Sequence, residues 1–457
     1  MVRPLDLMQT KLTGNKLSYL LLLFFASWLH AQSHTFSVND YGAKGNGATL
    51  DTRAIQAAID AAAQAGGGTV IFRPGTYLSG AIFVKSHVHL NVGDGVTILG
   101  VQDTTQYPMM PTRVAGIEMT WPAALINVYQ QQDAAITGPG TIDGNGKYWW
   151  DAYWALRRQY EPKGLRWAAD YDAKRPRLVQ IFDSKNVSLK NIRLERSGFW
   201  TIHICYSSNV TVDGATIRNN IGGKGPSTDG IDIDSSRHVL VEHADIEVND
   251  DALCLKAGRD WDGLRVHRPT EDIVIRDSIV RAGAAGFTIG SETSGGFRNV
   301  DVYRLTVLAP VPSGILFKSD RTRGGGAENI RIHDITMKGV AVPIHITMDW
   351  NPKYSYATIP AGVAHPPDYW KTITHPVRPP ERGLPHFRHV KIWNIDATGA
   401  MKAFVVSAYP EAPLVDFDFS RISISAQSAG SIKDAKNWKW KVVKVQTQDG
   451  TTLTPPE

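Results

Sequence analysis

Cysteine is almost missing from this sequence: its 457 residues include two, Cys205 and Cys254. A fold stapled by disulfides is excluded, and a chain of this length does not need one. Both thiols sit in apolar, alternating runs (TIHICY and ALCLKA), which predicts two buried free cysteines rather than a bridge. Also missing is an apolar run of about 20 residues, the length a membrane-spanning helix requires. The N-terminal run Leu17–Leu29 has 13 residues and follows Lys11 and Lys16. It reads as the apolar core of a signal peptide over residues 1–32, cleaved near Ala31 or Gln32, with an uncleaved anchor as the other reading. The mature chain is then residues 33–457, secreted or periplasmic, with no membrane contact after cleavage. Concentrated charge of one sign is absent as well. The 49 Lys and Arg are dispersed among 44 Asp and Glu, for a net charge of +5. Nothing here marks a nucleic-acid partner, whereas a mild basic excess suits an acidic polymer.

What the sequence does have is a repeat. A nine-residue pattern opens on a polar residue, often Asn, and then alternates β-branched with polar residues. It appears as NVSLKNIRL from Asn186, NVTVDGATI from Asn209, HVLVEHADI from His238, DIVIRDSIV from Asp272, NVDVYRLTV from Asn299, NIRIHDITM from Asn329 and HVKIWNIDA from His389. Alternation with period two means short strands with one inward face. The intervals run from 23 to 34 residues, with one gap of 60 that has room for two turns. Spacing of this kind predicts an all-β solenoid of stacked parallel strands, a parallel β-helix, and fits a propeller's longer blades less well. Asn at a fixed place in each coil can form a hydrogen-bonded ladder along the stack. Ahead of the repeat, Thr52 or Asp51 is placed to cap a helix that puts Ala54, Ile55, Ala58, Ile59 and Ala62 on one face. Such a helix would cover the open end of a single solenoid domain. Two insertions interrupt the pattern, one near residues 100–175 with an aromatic stretch at Tyr148–Tyr160, the other over residues 351–385. Both are expected to project from one face and shape a binding site.

The chemistry concentrates between Ser227 and Gly258 (STDGIDIDSSRHVLVEHADIEVNDDALCLKAG). Asp229 lies 21 residues before Asp250 and 22 before Asp251. In a solenoid with coils of that length these carboxylates sit side by side on adjacent coils, about 4.7–4.9 Å apart. Packed carboxylates repel and give a structural protein no evident benefit. Glycoside hydrolysis uses them: one must hold a proton, and neighbouring negative charge raises its pKa, while another activates water. Three aspartates over two coils can span the 6.5–9.5 Å typical of inverting enzymes. Calcium binding by DGIDID, or aspartates that only satisfy turns, are the alternatives.

These motifs, in this order, resemble the family 28 glycoside hydrolases, from FSVNDYGAKGNGATLDTRAIQAAIDAA to the end of the repeat. The resemblance implies a right-handed parallel β-helix and metal-free, cofactor-free hydrolysis with inversion. It implies a galacturonic-acid-containing plant cell-wall polysaccharide (pectin) as partner, and a polygalacturonase-like monomer. The family's Asn-Thr-Asp motif corresponds to Ser227-Thr228-Asp229 and its Asp-Asp pair to Asp250-Asp251. Asp250 is then the general acid, with Asp229 and Asp251 activating water. Two positions depart from the pattern. Gly283-Ala284-Ala285 stands where Gly-His-Gly is expected, and Leu316-Phe317-Lys318 where Arg-Ile-Lys is expected. Loss of an Arg suited to a substrate carboxylate raises a rhamnogalacturonan backbone as the alternative, and exo action is open. Candidate substrate-binding residues are Lys318, Lys256, His203, Arg321 and Arg323, the two arginines as replacements for the lost one. Trp149, Trp150 and Trp350 are candidates for stacking on sugars, and His345 reads as structural. From other classes, a polysaccharide lyase and a non-catalytic pectin-binding β-helix remain alternatives.

Overall fold

Each nine-residue repeat turns out to be a corner: two strands in the early coils, one continuous strand bent at a single residue from Asp272 onward. NVSLKNIRL spans the strands Lys185–Lys190 and Arg193–Glu195, with Asn191 between them at φ 54°. The computed structural model describes residues 34–457. The signal-peptide reading of residues 1–32 lies outside the described residues. Among the described residues, no helix is long and apolar enough to cross a membrane.

Strands of successive coils pair in parallel and in register, so the chain forms a right-handed parallel β-helix with three long faces. One face carries the site. It stacks Val179–Phe182, Ile202–Cys205, Ile231–Asp234, Asp251–Lys256, Ala285–Ile289, Ser313–Lys318 and Val342–Thr347, one coil upon the next. Inward residues such as Ile204, Ile233, Leu255, Ile289, Phe317 and Ile346 share one continuous buried core.

The polar residue that opens each repeat sits in the left-handed region: Asn186, Asn209, Asn299 and Asn329 have φ between 55° and 56°. Asn, Asp and His tolerate that conformation better than β-branched residues do, which explains the composition of the position. The expected ladder forms, with Asn209 Nδ2 donating to Asn186 Oδ1 at 3.0 Å and Asn329 Nδ2 to Asn299 Oδ1 at 2.8 Å. Asn209→Ala is expected to cost about 1–2 kcal/mol, from the lost bond and the strained backbone together. Asn209→Gly should recover the backbone share, and urea unfolding of both variants checks it.

The N-terminal helix is Thr52–Gln64, burying Ile55, Ala58, Ile59 and Ala62 as expected. Its capping differs. Asp51 makes no side-chain cap. Its carboxylate instead accepts from the Lys44 and Gly45 amides at 2.8 and 2.9 Å, pinning the glycine-rich loop. The 60-residue gap also differs from two turns. Glu328 pairs with Arg388 and Ile330 with Val390, so a single coil and a long insertion fill it. Cys205 and Cys254 are buried and free.

Both insertions stand beside the site face. The first contains an antiparallel hairpin, Met109–Val114 with Ile117–Pro122, and a helix, Lys147–Tyr160. The second contains the short helix Asp368–Ile373. They meet each other: the Trp167 and Trp370 rings pack edge-on at 5.1 Å, and Asp172 Oδ1 accepts from Tyr369 Oη and Trp370 Nε1 at 2.7 and 3.0 Å. A second buried cluster, including Trp121, Trp167, Tyr171, Phe199, Trp200 and Trp370, fills the space between them.

Candidate active site

The register of the site face fixes where the aspartates stand. Ile231 pairs with Leu253 and Asp232 with Cys254, while the Gly230 amide donates to the Asp251 carbonyl at 2.9 Å. Asp229 and the Asp250-Asp251 pair therefore occupy adjacent coils at the same edge of the face. An oxygen from each of the three carboxyls lies within 4.8 Å of the others. This is tighter than the 6.5–9.5 Å that two-carboxylate inverting sites span. The reason is that all three flank one coil-to-coil step instead of facing each other across a groove.

Two lysines hold this cluster together. Lys256, at the far end of the strand that Asp251 opens, places Nζ 3.5 Å from Asp229 Oδ2, 3.5 Å from Asp232 Oδ1 and 3.3 Å from Glu292 Oε2. Lys318, two coils on, donates to Asp251 Oδ2 at 2.7 Å, and Thr288 donates to Asp251 Oδ1 at 3.1 Å. The Trp350 ring lies 4.6 Å from the Lys318 ammonium. Positive charge supplied by the chain itself thus sits among the carboxylates.

Asp229, Asp232, Asp251 and Glu292 are buried and Asp250 is half-buried, and this burial sets the proton affinities. Burial, then the charges of Asp232 and Asp250, push the Asp229 carboxyl far above the usual carboxylate range. Asp250 is raised by burial and by Asp251. Asp232 is raised to about 7, again chiefly by burial. Glu292 goes the other way: burial opposes its ionisation, but Lys256, Arg323, Arg259 and Lys318 outweigh it and hold it far below the usual range. One oxygen of Asp229, Oδ1, is buried and has no hydrogen-bond partner among the described residues.

Above this floor a pocket is lined by both insertions. Arg166, Asp170, Trp350, Asn351 and Tyr354 surround Asp229, Asp250, Asp251, Lys256, Glu292 and Lys318. Residues 90–366, more than half the chain, match glycosyl hydrolases family 28. The chain belongs to family 28. Residues 35–129 also match the rhamnogalacturonase A/epimerase, pectate lyase-like family. A probable polygalacturonase of Vitis vinifera is 30% identical over 334 residues, 71% of this chain and 63% of that protein. The chain thus spans less than two thirds of that relative's length. An exo-poly-alpha-D-galacturonosidase of Dickeya chrysanthemi is 26% identical, covering 92% of this chain and 75% of that protein. Among solved structures, a hyperthermoactive exopolygalacturonase from Thermotoga maritima superposes with a TM-score of 0.72 at 27% identity, covering 89% of this chain and 92% of that one.

Within this family 28 chain, Asp229, Asp250, Asp251, Lys256 and Lys318 converge on one pocket. Trp350, a stacking candidate, lines it too, whereas His203, Arg321, Arg323, Trp149 and Trp150 do not. His203 is fully buried beneath Trp200, 3.4 Å from Asp234 Oδ2, and burial followed by Arg177 lowers its pKa to about 4. It backs the pocket wall instead of meeting a sugar. Arg321 points away and pairs with exposed Glu411 over the Tyr409 ring. Arg323 is buried and is held by Asp260 and Asp320. Trp149 and Trp150 pack inside, with Trp150 Nε1 donating to the Ser197 carbonyl at 2.7 Å. Asp234, in the same DGIDID run, pairs with Arg113 at 3.0 Å and anchors the hairpin. Sequence reasoning missed Glu292, Arg166, Asp170 and Tyr354 as site residues. Glu292 was visible as the acid of IGSE, but the other three reach the pocket only through the fold of the insertions.

Proposed function

We propose that this protein is a glycosidase that hydrolyses galacturonic-acid-containing pectin, trimming it from a chain end. The observation that carries the reading is the triad of carboxylates, two buried and Asp250 half-buried, at the base of a two-walled pocket. Asp250, its pKa raised by burial and by Asp251, keeps the proton that the leaving oxygen requires. Asp229 and Asp251 hold the attacking water, for which the unpartnered Asp229 Oδ1 is an available acceptor, and the water's proton passes to whichever of the pair is ionised as the Asp250 proton goes to the leaving oxygen. Inversion is what the family resemblance implies. In so compact a cluster it requires the water to attack from the face opposite Asp250, and the anomer released first, read by NMR, tests it. A retained anomer would make one aspartate a nucleophile.

Chain-end action is supported by the mutual packing of the two insertions, which closes the groove beside the floor. The exo names of the Dickeya and Thermotoga relatives point the same way. Rhamnogalacturonan is the second reading, favoured by Leu316, an apolar side chain one coil from Thr288, which itself bonds Asp251. Digests of polygalacturonic acid and of rhamnogalacturonan oligosaccharides, read by mass, separate the two. The expected result is saturated galacturonate monomer from polygalacturonic acid. A ladder of long oligomers sinks chain-end action, unsaturated products indicate a lyase, and binding without products indicates a binding module. Export of the mature chain belongs to the same proposal, and N-terminal sequencing of secreted protein checks it.

A further inference from the structure

A site that takes a uronate must offer its carboxylate a cation, yet where family resemblance leads one to expect an Arg this chain has Leu316. The cations lining the pocket are Arg166, Lys256 and Lys318. Both lysines are committed. Lys256 lies within 3.5 Å of three carboxylates, and Lys318 bonds Asp251 at 2.7 Å. Arg166 differs. Its Nη1 donates to Asp170 Oδ2 at 2.5 Å, but its buried Nε has no partner among the described residues. Asp170 is itself shared: its Oδ1 accepts from Tyr153 at 3.0 Å and from Ser227 at 3.1 Å, and lies 3.5 Å from Arg175. A carboxylate divided among four donors leaves the guanidinium with unused donor capacity. Ser227 stands two residues before Asp229, so the same network ties Arg166 to the catalytic loop. From the opposite insertion the Tyr354 ring, 5.5 Å from Arg166 Cζ, limits where the guanidinium can swing.

We propose that Arg166 is the residue that reads the carboxylate of the substrate's uronic acid, replacing from the inserted wall the arginine that the solenoid floor lacks. This rests on the galacturonate reading of the pocket. A planar fork of N–H donors matches a carboxylate in a way that an ammonium does not, and turning the guanidinium toward a ligand would pair donors that Asp170 leaves unused.

The test compares oligogalacturonides with the same oligosaccharides methyl-esterified at the terminal sugar. For Arg166→Gln, the ratio of kcat/KM on acid to kcat/KM on ester is expected to fall roughly 10- to 150-fold, the range for losing a hydrogen bond to a charged group. Arg166→Lys should fall between wild type and Arg166→Gln. An unchanged ratio, with both substrates slowed alike, makes Arg166 structural and overturns the proposal. Equilibrium binding of galacturonic acid to Asp250→Asn, with and without Arg166→Gln, reads recognition without turnover. If wild type cleaves nothing but Asp250→Asn binds galacturonic acid through Arg166, the hydrolase reading falls and this one stands. If neither hydrolysis nor Arg166-dependent binding occurs, this proposal is overturned.

Discussion

Asp250→Asn is expected to lower kcat on oligogalacturonides by about 10²- to 10⁴-fold, the usual contribution of a general acid, and to leave the fold intact. The substitution keeps the shape of the side chain and removes its titratable proton. Little of the architecture depends on that proton. Asp250 Oδ1 accepts from the Asp251 amide at 3.0 Å, and an Asn oxygen can do the same. The residue also contributes to the like-charge repulsion in the cluster, so its neutralisation should not destabilise the protein. Burial and Asp251 raise the Asp250 pKa, so wild-type activity should persist above the ordinary carboxylate range and fall as pH rises further and the acid deprotonates. The variant has no such group, and its residual rate should lack that alkaline limb. Single-turnover rates across pH check both statements. A variant that keeps more than a tenth of wild-type kcat would remove Asp250 from the acid role.

The largest loss of stability is expected from Lys256→Met. Its ammonium neutralises parts of Asp229, Asp232 and Glu292, and all four side chains are almost fully buried. Removing one partner of a buried ion pair typically costs about 3–5 kcal/mol, because the remaining charge is left without compensation. The variant has a specific pH signature. Asp232, Asp229 and Asp250 have raised pKa values in the folded state, so their contribution to stability is greatest below the unfolded carboxylate range near pH 4. It declines as pH rises, for Asp232 until about pH 7. Glu292 is depressed and contributes in the opposite sense, adding stability above that range that is lost as pH falls through its folded value. Lys256 is the leading charge holding Glu292 down and the leading charge restraining Asp232. Without it the folded protein should be most impaired near neutrality and partly rescued at about pH 4–5, where Asp229 and Asp232 are protonated. Urea unfolding midpoints for both proteins at the two pH values measure this. A loss that does not vary with pH would mean that packing of the lysine stem, not charge, is what matters.

The solenoid was legible because its physics is local and repeated. Each coil needs inward aliphatic residues at alternate positions and a tolerant residue at each corner, so NVSLKNIRL and its relatives display both period and bend. Placing Asp229 and Asp251 on neighbouring coils needed only the length of a coil. The walls were less legible for the opposite reason. The helix Lys147–Tyr160 buries Trp149, Trp150 and Tyr153 on one face, but the stretch occurs once and no repeat announces where it packs. Arg321 and Arg323 are two residues apart, yet one reaches the exposed Glu411 and the other is buried on Asp260 and Asp320. Which way a side chain leaves a loop depends on partners that are remote in sequence, and the sequence alone does not supply them. The same holds for Asp232 and Asp234. Alternation puts both on the outer side of one strand, but only the hairpin's Arg113 assigns Asp234 to architecture.

The corner ladder confers a freedom on the rest of the molecule. The floor's strands pair coil to coil in parallel register, and bonded asparagines join two pairs of those coils at a corner. A wall that lengthens or shortens leaves that register in place, provided ties such as Arg113 on Asp234 are kept. Selection for a new substrate would act on the walls and spare the floor, so the fold behaves as a fixed bench on which different tools can be mounted.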